Sequence, residues 1–137
     1  MPKNTLRILL VEDHPFQLIA TQILLNNHGY YLLTPALSAA EAMLALENAI
    51  EPFDLLLCDQ CLPDLTGLEL IGLTSQRRLI DRAVILSGLS DDHLLELQQQ
   101  AELLCLPLLG CLSKPLRVQA LVELLLTSVE PASPQAL

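Results

Sequence analysis

The sequence has very few aromatic residues and very few basic ones. Aromatic side chains make up 3% of the 137 residues and tryptophan is absent, whereas 52% of the residues are hydrophobic. Aliphatic side chains must therefore fill the interior, and the chain is long enough for one domain with a substantial core. Seven lysines and arginines oppose 16 aspartates and glutamates, giving a net charge of −9. This balance argues against direct nucleic-acid binding, which requires a basic surface.

Long hydrophobic runs and a secretion signal are also missing. No stretch reaches the roughly 18 to 20 apolar residues that a membrane span requires, and the first residues lead directly into a strand pattern. We therefore expect a cytoplasmic protein without membrane contact. Without a secretion signal, the four cysteines are expected to be mostly buried, reduced thiols rather than disulfide partners. They are Cys58, Cys61, Cys105 and Cys111.

Extended and helical patterns alternate five times along the chain. Apolar runs predict five strands, at Leu6 to Val11, Tyr30 to Thr34, Leu55 to Asp59, Ala83 to Ser87 and Leu108 to Ser113. Unbroken aliphatic strands of this kind are buried on both faces of a parallel sheet. The alternation predicts an α/β fold, a doubly wound parallel sheet of five strands with helices on both faces. Right-handed crossovers favour the flavodoxin-like strand order 2-1-3-4-5.

Local signals predict where several helices begin and end. Pro15 suits a first helical turn and Gly29 suits a left-handed stop, which predicts a first helix ending at about His28. Ser38 has a glutamate three residues later, the spacing of a capping box, and Ser90 is expected to cap a later helix. Residues 130–137 contain two prolines and no periodicity. We therefore expect one domain over residues 1–129, followed by a linker-like tail.

Polar side chains stand at the carboxyl ends of four of the five predicted strands. Glu12 and Asp13 follow the first strand, Asp59 ends the third, Ser87 ends the fourth and Lys114 follows the fifth. Because ligands of such sheets bind beyond the carboxyl ends of the strands, these groups are expected to converge at one edge. Each also has an ordinary explanation, such as helix capping for the acidic pair or a loop position for Asp59. Their coincidence at one edge favours a functional site.

The residues around these strand ends resemble a response-regulator receiver domain of two-component signalling. The resemblance covers about Leu6 to Thr127 and rests on four motifs in order: Leu10-Val-Glu-Asp-His-Pro15, Leu57-Cys-Asp-Gln-Cys-Leu-Pro-Asp-Leu-Thr-Gly67, Val84-Ile-Leu-Ser-Gly88 and Gly110-Cys-Leu-Ser-Lys-Pro115. Chemotaxis receivers have the strand order given above, so that order is partly implied by the resemblance. The resemblance implies that Asp59 accepts a phosphoryl group from a sensor histidine kinase or phosphotransfer protein. The modified state would then switch an output or a partner, with no enzymatic turnover beyond self-phosphorylation and autodephosphorylation.

The resemblance also assigns roles to the other polar residues. A phosphoryl group that arrives at an acidic pocket needs a hard divalent cation, here Mg²⁺ or Mn²⁺. Its expected ligands come from three carboxylates and one backbone carbonyl, those of Glu12, Asp13, Asp59 and Cys61, with Asp13 binding directly and Glu12 through water. The phosphoryl group is expected to contact two side chains and two backbone N–H groups, those of Ser87, Lys114, Gln60 and Gly88. The bond before Pro115 is expected to be cis. The three histidines, His14, His28 and His93, show no metal-ligand spacing and are expected to be structural or surface residues.

One position departs from the family pattern, and two others bear on dephosphorylation. Receivers commonly have an aromatic switch residue three positions before the lysine, but this chain has Cys111 there. The signal is therefore expected to travel through the loop from Ser87 to Asp92 and its helix. Cys61 and Leu89 stand at positions that tune dephosphorylation, and neither has a strongly polar group to orient water. They predict a long-lived phosphoryl state.

A partner surface is expected on the face made by the fourth helix, the fifth strand and the fifth helix. The apolar segment from Leu103 to Leu109 lies partly in a connection, where neither helical nor strand periodicity can bury every leucine. The alternative is that these leucines all turn inward, since strands of this fold are buried on both faces. If some remain accessible, the expected occupant is a second copy of the chain or an output domain.

Two other functions fit some of the same residues. A hydrolase that forms an aspartyl phosphate would also use Asp59, magnesium and a lysine, but it would have an acid at the position of Cys61. The spacing of Cys58 and Cys61 matches a thiol oxidoreductase. Such thiols usually lie at a helix N-terminus, however, whereas Cys58 lies inside an apolar strand.

Overall fold

Five parallel strands form one sheet in the computed structural model, which describes residues 5–127. The strands are β1 (Arg7–Val11), β2 (Leu32–Ala36), β3 (Phe53–Cys58), β4 (Ile80–Ser87) and β5 (Leu108–Ser113). The helices are α1 (Pro15–Asn27), α2 (Ala39–Asn48), α3 (Gly67–Gln76), α4 (Asp91–Leu103) and α5 (Val118–Thr127). The strand order is β2-β1-β3-β4-β5, which confirms the predicted fold class and order. The predicted tail, residues 130–137, lies outside the described residues.

Helices cover both faces of the sheet and divide the core into two layers. On β1, the side chains of Leu9 and Val11 pack on the face covered by α2, α3 and α4. Those of Ile8 and Leu10 pack on the opposite face, with α1 and α5. All four are almost completely buried, because successive side chains of a strand point to opposite faces. The aliphatic interior agrees with the expectation from composition.

The second strand begins two residues later than the sequence pattern predicts. Tyr30 is not part of β2, because its N–H donates to Leu25 O in the turn that ends α1. Gly29 has a φ of 95° in the same turn, the left-handed stop predicted for it. Tyr30 is buried in the core, which explains its strand-like appearance in the sequence. The edge strand β2 instead extends through Pro35, which pairs with Leu10 in the parallel register with β1.

The predicted helix caps are partly confirmed. Ser38 accepts a hydrogen bond from Glu41 N, and Ser90 accepts one from His93 N. The Glu41 carboxylate, however, accepts from Leu37 N instead of closing a box with Ser38. A complete capping box does occur at α3, whose start the sequence analysis left without a signal. It joins Thr66 and Glu69.

The expectation that the cysteines are mostly buried is wrong for two of them. All four, which lie within residues 5–127, are free thiols, as expected. Cys58 is buried in β3 and Cys111 is half-buried in β5, but Cys61 and Cys105 are exposed. Both exposed residues follow the end of an element, Cys105 with a φ of 56° after α4. Apolar neighbours in the sequence therefore did not imply burial at these two turns.

The opposite end of the sheet, away from the carboxyl ends of the strands, is closed by Arg7. Its Nη1 donates to the carbonyl oxygens of Glu51 at 3.1 Å and Pro52 at 2.8 Å. Its guanidinium also lies 4.5 Å from the centre of the Phe53 ring. Within residues 5–127, no helix has the length and apolarity needed to cross a membrane.

Candidate functional site

The site is organised around the ammonium group of Lys114. Lys114 Nζ donates to Glu12 Oε1 at 2.7 Å, to Asp59 Oδ2 at 3.0 Å and to Gln17 Oε1 at 3.2 Å. Glu12 and Asp59 are 5% and 6% exposed, so the lysine pairs two nearly buried carboxylates. Burial lowers the pKa of Lys114, but its contacts with Glu12 and Asp59 outweigh that effect and raise it above the ordinary value. The lysine therefore remains a cation between two anions.

Hydrogen bonds between neighbouring strand ends hold these side chains at one edge of the sheet. Asp59 N donates to Val11 O, which ties the end of β3 to the end of β1. Lys114 N donates in the same way to Ser87 O, which ties the end of β5 to the end of β4. The Lys114–Pro115 bond is cis, as expected. Parallel pairing thus brings together residues that lie 55 positions apart in the chain, as for Lys114 and Asp59.

The acidic pair at the end of β1 has a neighbour that the sequence analysis set aside. His14 Nδ1 lies 3.0 Å from Glu12 Oε2 and 3.2 Å from Asp13 Oδ1. The hydrogen bond to Glu12, followed by the charge of Asp13, raises the pKa of His14. His28 and His93 instead contact Leu24 O and Ser90 Oγ, in keeping with the structural roles expected for them. The position of His14 directly after Glu12 and Asp13 in the sequence was the signal that could have identified it as part of the site.

The donor set fits a hard divalent cation. Asp13 Oδ1 is buried and accepts no hydrogen bond from the described residues. A buried carboxylate oxygen without a donor is costly, and a cation would satisfy it. Glu12, Asp13 and Asp59 also supply the oxygen ligands that such ions prefer. Glu12 and Asp59 directly follow the central strands β1 and β3, and Asp13 is the next residue after Glu12.

The loop between β3 and α3 is shaped around Asp59 by a close approach at Gly67. Gly67 N donates to Gln60 O at 2.9 Å, and a Cβ added at Gly67 would lie 2.5 Å from Asp59 O. Cys61 N donates to Asp59 Oδ1 at 3.3 Å, so the loop also contacts the carboxylate directly. Gly67 is the last residue of the motif that begins at Leu57, but only the structure shows that its lack of a side chain permits the close approach to Asp59 O.

Asp64 fixes the outer part of the same loop. Its carboxylate accepts hydrogen bonds from Ala39 N at 3.0 Å and Ala40 N at 2.9 Å, at the start of α2. These bonds lower the pKa of Asp64. No local pattern in the sequence indicates this contact, because its partners lie 24 and 25 residues earlier.

Ser87 and Gly88 lie at the same edge of the sheet, whereas Cys111 lies inside β5. Ser87 is buried at the end of β4, and its hydroxyl accepts from Leu89 N at 3.2 Å. Gly88 follows it and is exposed. Cys111 pairs with Ile85 in the sheet and packs against the core layer that includes α4. Burial raises the pKa of Cys111 to about 11.

The pair of cysteines around Asp59 lacks the features of a redox site. Cys58 is 1% exposed, and burial raises the pKa of its thiol far above the ordinary value. The thiolate, which is the reactive form, is therefore disfavoured at Cys58. Cys61 is exposed, on the loop beyond the strand.

Comparison with known proteins gives one consistent result. The sequence matches the family described as the response regulator receiver domain over residues 8–126. A CheY-like response regulator receiver domain protein from Methanospirillum hungatei JF-1 is 27% identical, with a TM-score of 0.70 and coverage of 89% of this chain and 91% of that one. The signal receiver domain of an HD domain-containing protein from Pseudomonas fluorescens Pf-5 is 28% identical, with a TM-score of 0.72 and coverage of 90% and 94%.

A more distant structure shares the fold alone. It is the CheX–CheY complex with BeF3 and Mg²⁺ from Borrelia burgdorferi, at 15% identity and a TM-score of 0.70, with coverage of 89% of this chain and 87% of that one. No curated protein matches the sequence.

Proposed function

Because this chain belongs to the response regulator receiver domain family, a family of signalling domains, we propose that its Asp59 carboxylate accepts a phosphoryl group from a sensor histidine kinase or a phosphotransfer protein. The modified state then switches an output or a partner. The exchange takes place in the cytoplasm, and the domain performs no turnover beyond its own phosphorylation and dephosphorylation.

One observation carries the proposal. Lys114 Nζ lies within 3.0 Å of oxygens from both Asp59 and Glu12, at the carboxyl edge of the sheet. A lysine ammonium is a compact charge on a flexible stem, so it can follow negative charge from the free carboxylate to a bound phosphoryl group. The ion pair of Lys114 with the two carboxylates therefore describes the resting state, and the incoming phosphoryl group rearranges it.

The reaction is a displacement at phosphorus. An oxygen of Asp59 attacks the phosphorus atom of the donor, a P–O bond forms, and the bond from phosphorus to the donor's nitrogen breaks. The leaving imidazole keeps the electron pair and takes up a proton. Lys114, Ser87 and the N–H groups of Gln60 and Gly88 then bind the phosphoryl oxygens.

A divalent cation, Mg²⁺ or Mn²⁺, offsets the negative charge that accumulates in this pocket. Its ligands would be the carboxylates of Glu12, Asp13 and Asp59 with the backbone carbonyl of Cys61. The buried, undonated Asp13 Oδ1 supports this assignment. The CheX–CheY complex of Borrelia burgdorferi contains Mg²⁺ and BeF3, which makes beryllofluoride a reasonable probe here.

Incubation with acetyl phosphate and Mg²⁺, followed by intact-mass measurement, tests the phosphoacceptor. The wild type should gain one phosphoryl group, and Asp59→Asn should gain none. Asp64→Asn is the matched control, because Asp64 lies in the same loop but accepts bonds from α2 instead of Lys114. Modification that is independent of a divalent cation, or that persists in Asp59→Asn, would contradict the assignment.

The phosphoryl state is expected to be long-lived. Cys61 and Leu89 have no strongly polar group that could orient a water molecule for attack. The signal is expected to pass through the loop from Ser87 to Asp92 and then α4, since Cys111 is too small to act as an aromatic switch. Decay of the phosphorylated mass within seconds would contradict the first expectation.

The face made by α4, β5 and α5 is the proposed surface for a second copy of the chain or an output domain. At the end of α4, Leu103 and Leu104 are 84% and 64% exposed, whereas Leu106 packs partly against the core. Leu103→Glu is therefore the informative substitution. Sedimentation of the wild type and of this variant, each with and without beryllofluoride, tests self-association. If both are monomeric in every state, the proposal of a homodimer fails.

A further inference from the structure

The imidazole of His14 lies against both carboxylates of the acidic pair. Ligand atoms of Glu12, Asp13 and His14 all lie within 4.8 Å of one another. His14 is exposed, with 62% of its side-chain surface accessible, whereas the Glu12 side chain is 6% exposed. A solvent-facing nitrogen thus stands over carboxylates that are buried or half-buried.

One of the two contacts of this nitrogen is a hydrogen bond to Glu12, and the other is an ion pair with Asp13. His14 Nδ1 lies 3.0 Å from Glu12 Oε2 and 3.2 Å from Asp13 Oδ1, and a ring nitrogen carries at most one hydrogen. Asp13 Oδ1 is left without a donor among the described residues. One cation shared by the three atoms would account for both contacts.

The spacing of these atoms is that of neighbouring ligands around one ion. With bonds of about 2.1 Å in octahedral geometry, adjacent ligand atoms lie about 3.0 Å apart. The two contacts of His14 Nδ1, at 3.0 and 3.2 Å, are close to this value. Two of the three atom pairs are therefore spaced as for a common metal, and the third pair lies within 4.8 Å.

We propose that His14 is a nitrogen ligand of the divalent-cation site and increases the preference of the site for a transition-metal ion such as Co²⁺ or Zn²⁺ over Mg²⁺. The inference rests on the metal site proposed above and specifies its metal. Carboxylates suit Mg²⁺ and Mn²⁺, whereas imidazole suits zinc, nickel and other first-row transition metals. Adding one imidazole to a carboxylate set raises affinity for the second group without a matching gain for Mg²⁺.

Cobalt binding measures the role of His14 without reference to phosphorylation. Co²⁺ is titrated into the wild type and His14→Ala while its visible absorption is recorded, and Mg²⁺ affinity is obtained by competition. Nitrogen is a stronger-field donor than oxygen, so the wild-type band should lie at shorter wavelength than that of His14→Ala. Removal of the ligand should weaken Co²⁺ binding by about tenfold or more and leave Mg²⁺ affinity within about twofold.

Two further variants make the result specific. His28→Ala removes an exposed histidine at the other end of α1 and should leave both the Co²⁺ band and the affinities unchanged. His14→Asn offers an oxygen donor at the same position and should recover neither the band position nor the Co²⁺ affinity. Circular dichroism of each variant checks that it is folded.

The outcomes separate this inference from the proposed function. If His14→Ala changes Co²⁺ and Mg²⁺ affinity by the same factor, or changes neither, His14 is not a ligand. The receiver function is unaffected by that result as long as Mg²⁺ still supports modification of Asp59. If the wild type binds no divalent cation, the inference and the proposed metal site fail together.

Discussion

Substitution of Gly67 by alanine should disturb the site through backbone contact alone. A Cβ at this position would lie 2.5 Å from Asp59 O and 3.1 Å from Gln60 Cα, where ordinary contacts begin at 3.4 Å. Both neighbours are backbone atoms, so relief requires the loop that carries Asp59 to move by nearly 1 Å. A change at the start of α3 would thus be transmitted directly to the phosphoacceptor.

The expected loss of stability follows from this overlap. Overpacking of this kind costs roughly 1 to 3 kcal/mol in the free energy of unfolding. The hydrogen bond from Gly67 N to Gln60 O would weaken as well, at a further cost of about 0.5 to 1.5 kcal/mol. Since a displacement of about 1 Å can cost on the order of 100-fold in rate, modification of Asp59 by acetyl phosphate should slow by one to two orders of magnitude.

Gly72 provides a matched control on the same helix. A Cβ at Gly72 meets no described atom within 4 Å. Gly72→Ala should therefore stabilise the domain by roughly 0.5 to 1 kcal/mol, as expected for alanine in a helix interior. Urea unfolding followed by circular dichroism gives both free energies, and intact mass gives the rates. Equal stability of the two variants, or an unchanged rate in Gly67→Ala, would refute the reasoning.

Three further predictions concern other parts of the domain. Asp64→Ala should lower the free energy of unfolding by about 1 kcal/mol, as for the loss of a helix cap. Because the pKa of Asp64 is lowered, the ionic part of this stabilisation is present above the ordinary carboxyl pKa and is lost as the pH falls through the lowered pKa. If urea titrations show a stability difference between Asp64→Ala and the wild type that does not change with pH, this prediction is contradicted. Arg7→Ala should cost about 1 to 2 kcal/mol through its two hydrogen bonds and its ring contact, yet leave the rate of Asp59 modification unchanged, since it lies at the other end of the sheet. Iodoacetamide should label the exposed thiols of Cys61 and Cys105 first and then the half-buried thiol of Cys111, whose pKa is about 11. The buried thiol of Cys58 should react only after unfolding, and peptide mass analysis would show this order.

The sequence predicted the sheet and the meeting of Asp59 and Lys114 at its edge because both depend on short-range patterns. Apolar runs identified the strands, and the residue after each run marked the edge where Asp59 and Lys114 meet. Contacts between distant segments were not predictable in this way. Asp64 bonds to α2 across 24 and 25 residues, and Gly67 matters only because α3 begins against the backbone of Asp59.

The error at β2 has a different origin. Tyr30 has strong strand propensity and a buried ring, but its backbone completes the turn that ends α1. Tertiary packing thus overrode the local preference, and the strand shifted toward Pro35, a residue that sequence rules disfavour in strands.

Pro35 also bears on how copies of this domain avoid aggregation. The carbonyl of Ala36 accepts from Glu12 N and so points toward β1, and alternation along the strand directs the ring nitrogen of Pro35 to the outer side of β2. That nitrogen has no hydrogen to offer, so the open edge of β2 is a poor template for a strand from another molecule. For a leucine-rich chain this limits growth of the sheet from molecule to molecule. Association at this edge is thereby disfavoured, and the helical surfaces remain available for reversible contacts.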